Sequence, residues 1–261
     1  MGRFSKLDFE TKPQAAQTPA AEDPWPDLDE KGCLAAAEDQ FVRGLYEAAL
    51  VFYSRALRFN RDLLAAWIGQ VRCLLHLAEY REAVTWSIRA LERFPDQPDL
   101  LAYRGLALVR SGNVREGMEF VDGAVELKSP SAWVWLARGE ALLAARQPVA
   151  NARRCFLKAR ELAPDDWRVD LQIGMVYVGA GFAAEARAPL LSASRHAGDN
   201  PVLLYHLGRM YDGTGERGLA AGCYQRARAA RPEIGEGPAW APTAPSGNPI
   251  RRLWGRLTGK H

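Results

Sequence analysis

Apolar side chains in this chain recur at helical spacing, and the spacing itself repeats along the chain. Near the C-terminal end, Leu203, Leu204, Leu207, Met210 and Tyr211 recur at steps of three and four. Leu219, Ala220, Cys223, Tyr224 and Ala227 do the same. Such steps return side chains to one face of an α-helix. Gly215 lies between the two runs, where it permits the left-handed backbone that ends a helix. Pro232 lies beyond the second run and stops it. The pattern predicts two helices joined by a tight turn.

The same unit is present six times. Ala56, Ala90, Ala124, Ala159, Ala193 and Ala227 follow one another at spacings of 34, 34, 35, 34 and 34. A second small residue precedes each by seven: Ala49, Ala83, Gly117, Ala152, Ala186 and Ala220. Gly105, Gly139, Gly174 and Gly208 form a third register. The one 35-residue step falls in the fourth unit, which has Arg146-Gln147-Pro148 where others carry Gly44, Gly112, Gly181 or Gly215. A proline is tolerated in the first turn of a helix and not in its interior, so the extra residue belongs in the turn. Two helices joined by a short turn pack antiparallel, and their axes come closest where side chains are smallest. Larger residues such as Tyr53, Phe156, Leu190 and Tyr224 fill the space between. One hairpin cannot bury its own apolar face, so units must stack. The expected fold is all-α: a right-handed α-solenoid of six antiparallel helix pairs over residues 31–232.

Trp67 or Leu204 early in a first helix, then glycine, then an aromatic such as Tyr177 or Tyr211, resembles the tetratricopeptide repeat family. So does the order Gly215, Ala220, Tyr224, Ala227, Pro232. The sixth unit matches best, and the first departs most, with Cys33, Ala36, Ala37 and Gln40 at the marked positions. The resemblance implies a binding scaffold whose first helices line a concave groove. Carried over by register, that groove holds Arg72, His76, Tyr103, Leu106, Arg110, Trp133, Leu136, Glu140, Leu171, Gln172, Met175, Tyr205, His206 and Arg209. Aromatic and arginine side chains supply the anchors that dominate protein–protein affinity. The expected ligand is a peptide or partner protein, an extended segment or amphipathic helix held in apolar pockets, with Arg72, Arg110 or Arg209 pairing an acidic residue. The alternatives are an RNA-binding helical repeat and a regulatory subunit of an enzyme complex.

Composition narrows the function. Net charge is +3, with 34 basic against 31 acidic side chains, whereas a protein living on phosphate contacts carries a stronger basic excess. No nucleic acid partner is expected. Val178-Gly179-Ala180-Gly181-Phe182-Ala183-Ala184 imitates a dinucleotide fingerprint but lies in a repeat, without the strand that the fingerprint needs. His76, His196, His206 and His261 stand at no metal-ligand spacing, and no hydrolase or nucleotide-binding motif is present. No enzyme activity, cofactor or metal is expected. Trp67, Trp135 and Trp167 read as packing residues. Cys33, Cys73, Cys155 and Cys223 are far apart and read as buried thiols in a reducing compartment. With neither a signal-peptide pattern nor a membrane-spanning run, the expected location is cytoplasmic.

The ends differ from the repeats. Residues 1–30 are polar and acidic, with Pro24 and Pro26 around Trp25, and disorder is expected. Residues 233–249 read as a Pro/Gly-rich linker. Residues 250–261 form a short basic tail that puts Ile250, Leu253, Trp254 and Leu257 on one helical face. That tail either docks a partner or an acidic membrane surface, or covers the exposed end of the last repeat.

Overall fold

A computed structural model of the chain describes residues 28–232 and residue 234. The basic tail, the linker apart from residue 234, and the N-terminal segment up to residue 27 lie outside the described residues. Twelve α-helices follow one another among the described residues, which include no strand. They are α1 (Glu30–Val42), α2 (Tyr46–Phe59), α3 (Leu64–His76), α4 (Tyr80–Arg93), α5 (Pro98–Arg110) and α6 (Val114–Glu126), then α7 (Ala132–Ala144), α8 (Val149–Leu162), α9 (Trp167–Gly179), α10 (Ala183–Ser194), α11 (Pro201–Gly213) and α12 (Arg217–Ala230).

Local chemistry explains where helices begin. Asp29, Ser131, Asp166 and Asn200 precede first helices, and each side chain accepts a backbone N–H from the opening turn, which satisfies donors that a helix end leaves orphaned. Glu30, assigned to the N-terminal segment from sequence, therefore opens α1, and Asp29 caps it. Pro98 and Pro201 stand in the first turns of α5 and α11. Pro201 thus opens a helix, while Pro95, Pro130 and Pro164 fall in the breaks between units and Pro232 follows α12.

Every hairpin turn holds one residue with left-handed backbone: Gly44, Ala78, Gly112, Arg146, Gly181 and Gly215, with φ between 58° and 98°. The fourth unit is therefore not alone in lacking glycine, because Ala78 does the same work in the second. α2 starts two residues after Gly44, but α8 starts three after Arg146. The extra residue lies in Gln147–Pro148. The dinucleotide-like segment is one of these turns, with α9 ending at Gly179 and Gly181 at φ 86°.

All six alanines of the main register are fully buried, at 0% exposure. The second register is buried as well. At Gly105 the paired helices meet backbone to backbone: an added Cβ would lie 2.6 Å from the Gly117 carbonyl oxygen. Gly139, Gly174 and Gly208 instead face the side chains of Phe156, Leu190 and Tyr224, the large residues expected to fill that space.

First helices touch in succession, α1 with α3, α3 with α5, α5 with α7, α7 with α9 and α9 with α11. Second helices make no comparable contact with one another among the described residues. First helices therefore form the inner wall of the solenoid. The apolar core follows the stack in two large bodies that meet at α7, where Val134, Ala137 and Ala141 join the earlier units and Ala132, Leu136 and Leu142 the later ones, and Leu204, Ala227 and Ile234 form a small third cluster at the end. The inner wall curls far enough to bring the first and sixth units together. Asn200 Nδ2 donates to the Val42 carbonyl at 3.1 Å, and Arg231 Nη1 donates to the Arg43 carbonyl at 2.7 Å.

Candidate functional site

The curled inner wall borders a small, partly open cleft of roughly 40 Å³, room for a few waters as it stands. First helices of five units supply its walls: Glu38, Phe41 and Val42 from α1, Arg72 and His76 from α3, Trp133 from α7, five residues of α9, and Val202 from α11. Tyr46 adds a wall from α2.

Arg72 is central. Its guanidinium carbon lies 4.2 Å from the centre of the Phe41 ring and 4.4 Å from that of Trp133. Cation–π attraction holds it between side chains of the first and fourth units. No carboxylate among the described residues forms an ion pair with it. The acids nearby are engaged elsewhere. Glu38 accepts the Tyr53 hydroxyl at 2.6 Å, Asp99 accepts the Ser131 hydroxyl at 2.7 Å, and Asp166 pairs with Arg168 at 2.7 Å. Burial pushes the Asp99 carboxyl above its ordinary value, and the Ser131 bond and the Arg72 charge only offset this.

His76 stacks on Tyr46, ring centres 4.4 Å apart and planes within 6°, and meets Phe41 edge-on. Desolvation, then the charges of Arg72, Arg110 and His206, push its imidazole down to about 3. It is a neutral packing ring at any physiological pH. His206 is buried in the last unit beside Tyr205, at 2% exposure, and desolvation takes it to about 3 as well.

The structure divides the residues singled out from sequence. Arg72, His76, Trp133, Leu171, Gln172 and Met175 come together in the cleft. Arg110 and Glu140 pair with each other beside it, and Gln172 Nε2 donates to Glu140 at 3.3 Å. Arg110 is thus spent inside the molecule rather than offered to a ligand. Tyr103, Leu106 and Leu136 are buried packing residues, Tyr205 packs against His206 and Tyr224, and Arg209 remains partly exposed in the sixth unit.

Sequence reasoning missed Glu38, Phe41, Val42, Tyr46, Arg168 and Val202. The register held part of the signal, because Glu38 and Val42 stand 34 residues before Arg72 and His76, and Val202 stands 34 after Arg168. Trp167 was read as core, yet it lies in the cleft wall and is only half-buried; Trp135 is half-buried too, and only Trp67 is fully so. Burial accounts for three of the four cysteines, while Cys223 is partly exposed. No set of three or more His, Cys, Asp or Glu among the described residues could hold a metal, and no described helix is long and apolar enough to cross a membrane.

No family model and no curated protein matches the chain by sequence. Solved structures do. The Cut9–Hcn1 hetero-tetramer of the APC/C aligns with a TM-score of 0.63 at 17% identity, over 76% of this chain and 38% of that one. A tetratricopeptide repeat protein from Parabacteroides merdae aligns with a TM-score of 0.50 at 19% identity, over 79% and 80%. This chain has the tetratricopeptide-repeat fold. A third match in shape, a monomeric mutant of IFIT1 with Gppp-AAAA, aligns with a TM-score of 0.55 at 17% identity, over 70% of this chain and 46% of that one. The first and sixth tetratricopeptide units of the present chain are the ones that meet, and the cleft lies at that junction.

Proposed function

We propose that this chain is a non-enzymatic interaction scaffold that holds a peptide segment of a partner protein in the cleft around Arg72. One observation carries the reading: a guanidinium without a carboxylate partner lines a largely apolar cleft. It lies over the Phe41 and Trp133 rings, and N–H donors that no described carboxylate takes stay available to an anion. Leu171, Met175 and Val202 offer apolar contact beside it. The fitting ligand is an acidic side chain next to a large apolar one, presented on a linear segment.

The second reading, RNA binding, draws on the IFIT1 structure, which holds Gppp-AAAA. Base stacking needs open aromatic faces. Here one face each of Phe41 and Trp133 is taken by Arg72, and the net charge of +3 is small. Both favour peptide.

Selection of a random linear peptide library on the full chain, followed by titration against wild type and Arg72→Met, tests the proposal. The expected consensus pairs an acid with a large apolar residue. Arg72→Met should weaken it by about 10- to 100-fold, since a charge-assisted bond is worth about 1.5–3 kcal/mol. A consensus without an acid, bound equally by Arg72→Met, would count against this site. A labelled single-stranded RNA binding tighter than any selected peptide would favour the second reading.

A further inference from the structure

We propose that the cleft is completed by a clasp between the first and sixth units, in which Asn200 and Arg231 are positioning residues for whatever the cleft binds. The inference rests on the cleft being the binding site.

The end of α1 explains why a clasp is needed. A helix leaves its last carbonyls without intrahelical donors. Three of those near the end of α1 are satisfied locally: Asp39 by Arg43 N–H, Phe41 by Gly44 N–H and Gln40 by Leu45 N–H. Val42 and Arg43 carbonyls remain, and these are the two that take donors from the sixth unit, Asn200 Nδ2 and Arg231 Nη1. Arg231 also brings a positive charge to the negative end of the α1 dipole.

Asn200 works in both directions. Its Oδ1 caps α11, accepting Val202 N–H at 3.0 Å and Leu203 N–H at 3.1 Å, while its Nδ2 reaches α1. One side chain ties together the end of one helix and the start of another, 158 residues apart. α1 contributes Glu38, Phe41 and Val42 to the cleft, and α11 contributes Val202 opposite. Apart from this seam, α1 packs mainly on α2 and α3. Releasing the clasp therefore lets the first unit swing away, taking Phe41 off Arg72 and one wall off the cleft. A ligand that touches both walls binds only the closed form, so its apparent dissociation constant rises as the closed fraction falls.

Asn200→Asp separates clasp from cap. Aspartate caps as well as asparagine, and Asp29 and Asp166 already do so for α1 and α9. The substitution keeps the acceptor and replaces the donating amide with a carboxylate oxygen facing a carbonyl. We would compare full-chain wild type, Asn200→Asp and Asn200→Asp/Arg231→Ala by small-angle X-ray scattering, thermal unfolding and affinity for a peptide selected as above. The expected result is a larger radius of gyration with a near-wild-type unfolding midpoint for Asn200→Asp. Peptide binding should weaken by about tenfold if a tenth of the molecules remain closed, although neither residue lies in the cleft wall. Unchanged scattering would overturn the clasp. A swollen molecule that binds equally well would overturn the positioning role and leave the Arg72 site standing. If no peptide is selected by wild type, the binding reading fails, and scattering alone decides the clasp.

Discussion

Gly105 and Gly123 stand 18 residues apart in paired helices, and the same substitution to alanine should move stability in opposite directions. A Cβ at Gly105 would meet Gly117 O at 2.6 Å, Val121 Cγ1 at 2.8 Å and Val121 N at 2.9 Å. Two of these are backbone atoms, so no rotamer can relieve the contact and α5 must part from α6. The opening required is about 0.8 Å, the difference between 2.6 Å and the 3.4 Å where ordinary contact begins. Overpacking of this kind costs about 1–3 kcal/mol, against a gain of about 1 kcal/mol from replacing a helical glycine by alanine. The net loss should be up to about 2 kcal/mol, which lowers Tm by up to about 8 °C in a chain of this size. Gly123 has nothing within 4 Å of the same added atom. There the propensity gain stands alone, and Tm should rise by about 2–4 °C. Circular dichroism melts of the two variants beside wild type are sufficient. If Gly105→Ala is as stable as Gly123→Ala, backbone contact does not define this helix pair, and the account of the small-residue registers is wrong.

Ala124→Leu places a branched side chain where no surface is exposed, and urea denaturation should show a loss of about 1–3 kcal/mol. Stability should also fall in mild acid. His76 and His206 have folded values of about 3 against 6.5 for a free imidazole. Between those values the unfolded chain binds protons that the folded chain refuses. The stabilisation is therefore complete above pH 6.5 and declines as pH drops toward 3, by up to about 1.4 kcal/mol per pH unit for each histidine. His206→Gln should flatten the urea midpoint between pH 6.5 and 5.5, and a slope equal to wild type would remove His206 from this account.

Short-range facts were legible in the residue order. Small side chains at Ala56 through Ala227 mark where helices must nest, and a one-residue insertion had to fall in a turn because a helix interior has no place for it. Proline suits both a break and a first helical turn, and only the capping bond of Asn200 decides that Pro201 opens α11. For Arg110, register says which way a side chain faces but not that Glu140, in the next unit, pairs with it.

Repeat spacing alone determines the units, their turns and their shared inner face, since each depends on contacts within one period or between neighbours. The curvature of the whole stack is the accumulated result of many small rotations between units, and no single residue encodes it. Only the tertiary structure could bring Val42 to Asn200, put Arg72 between Phe41 and Trp133, and so turn an open row of groove positions into one partly open cleft.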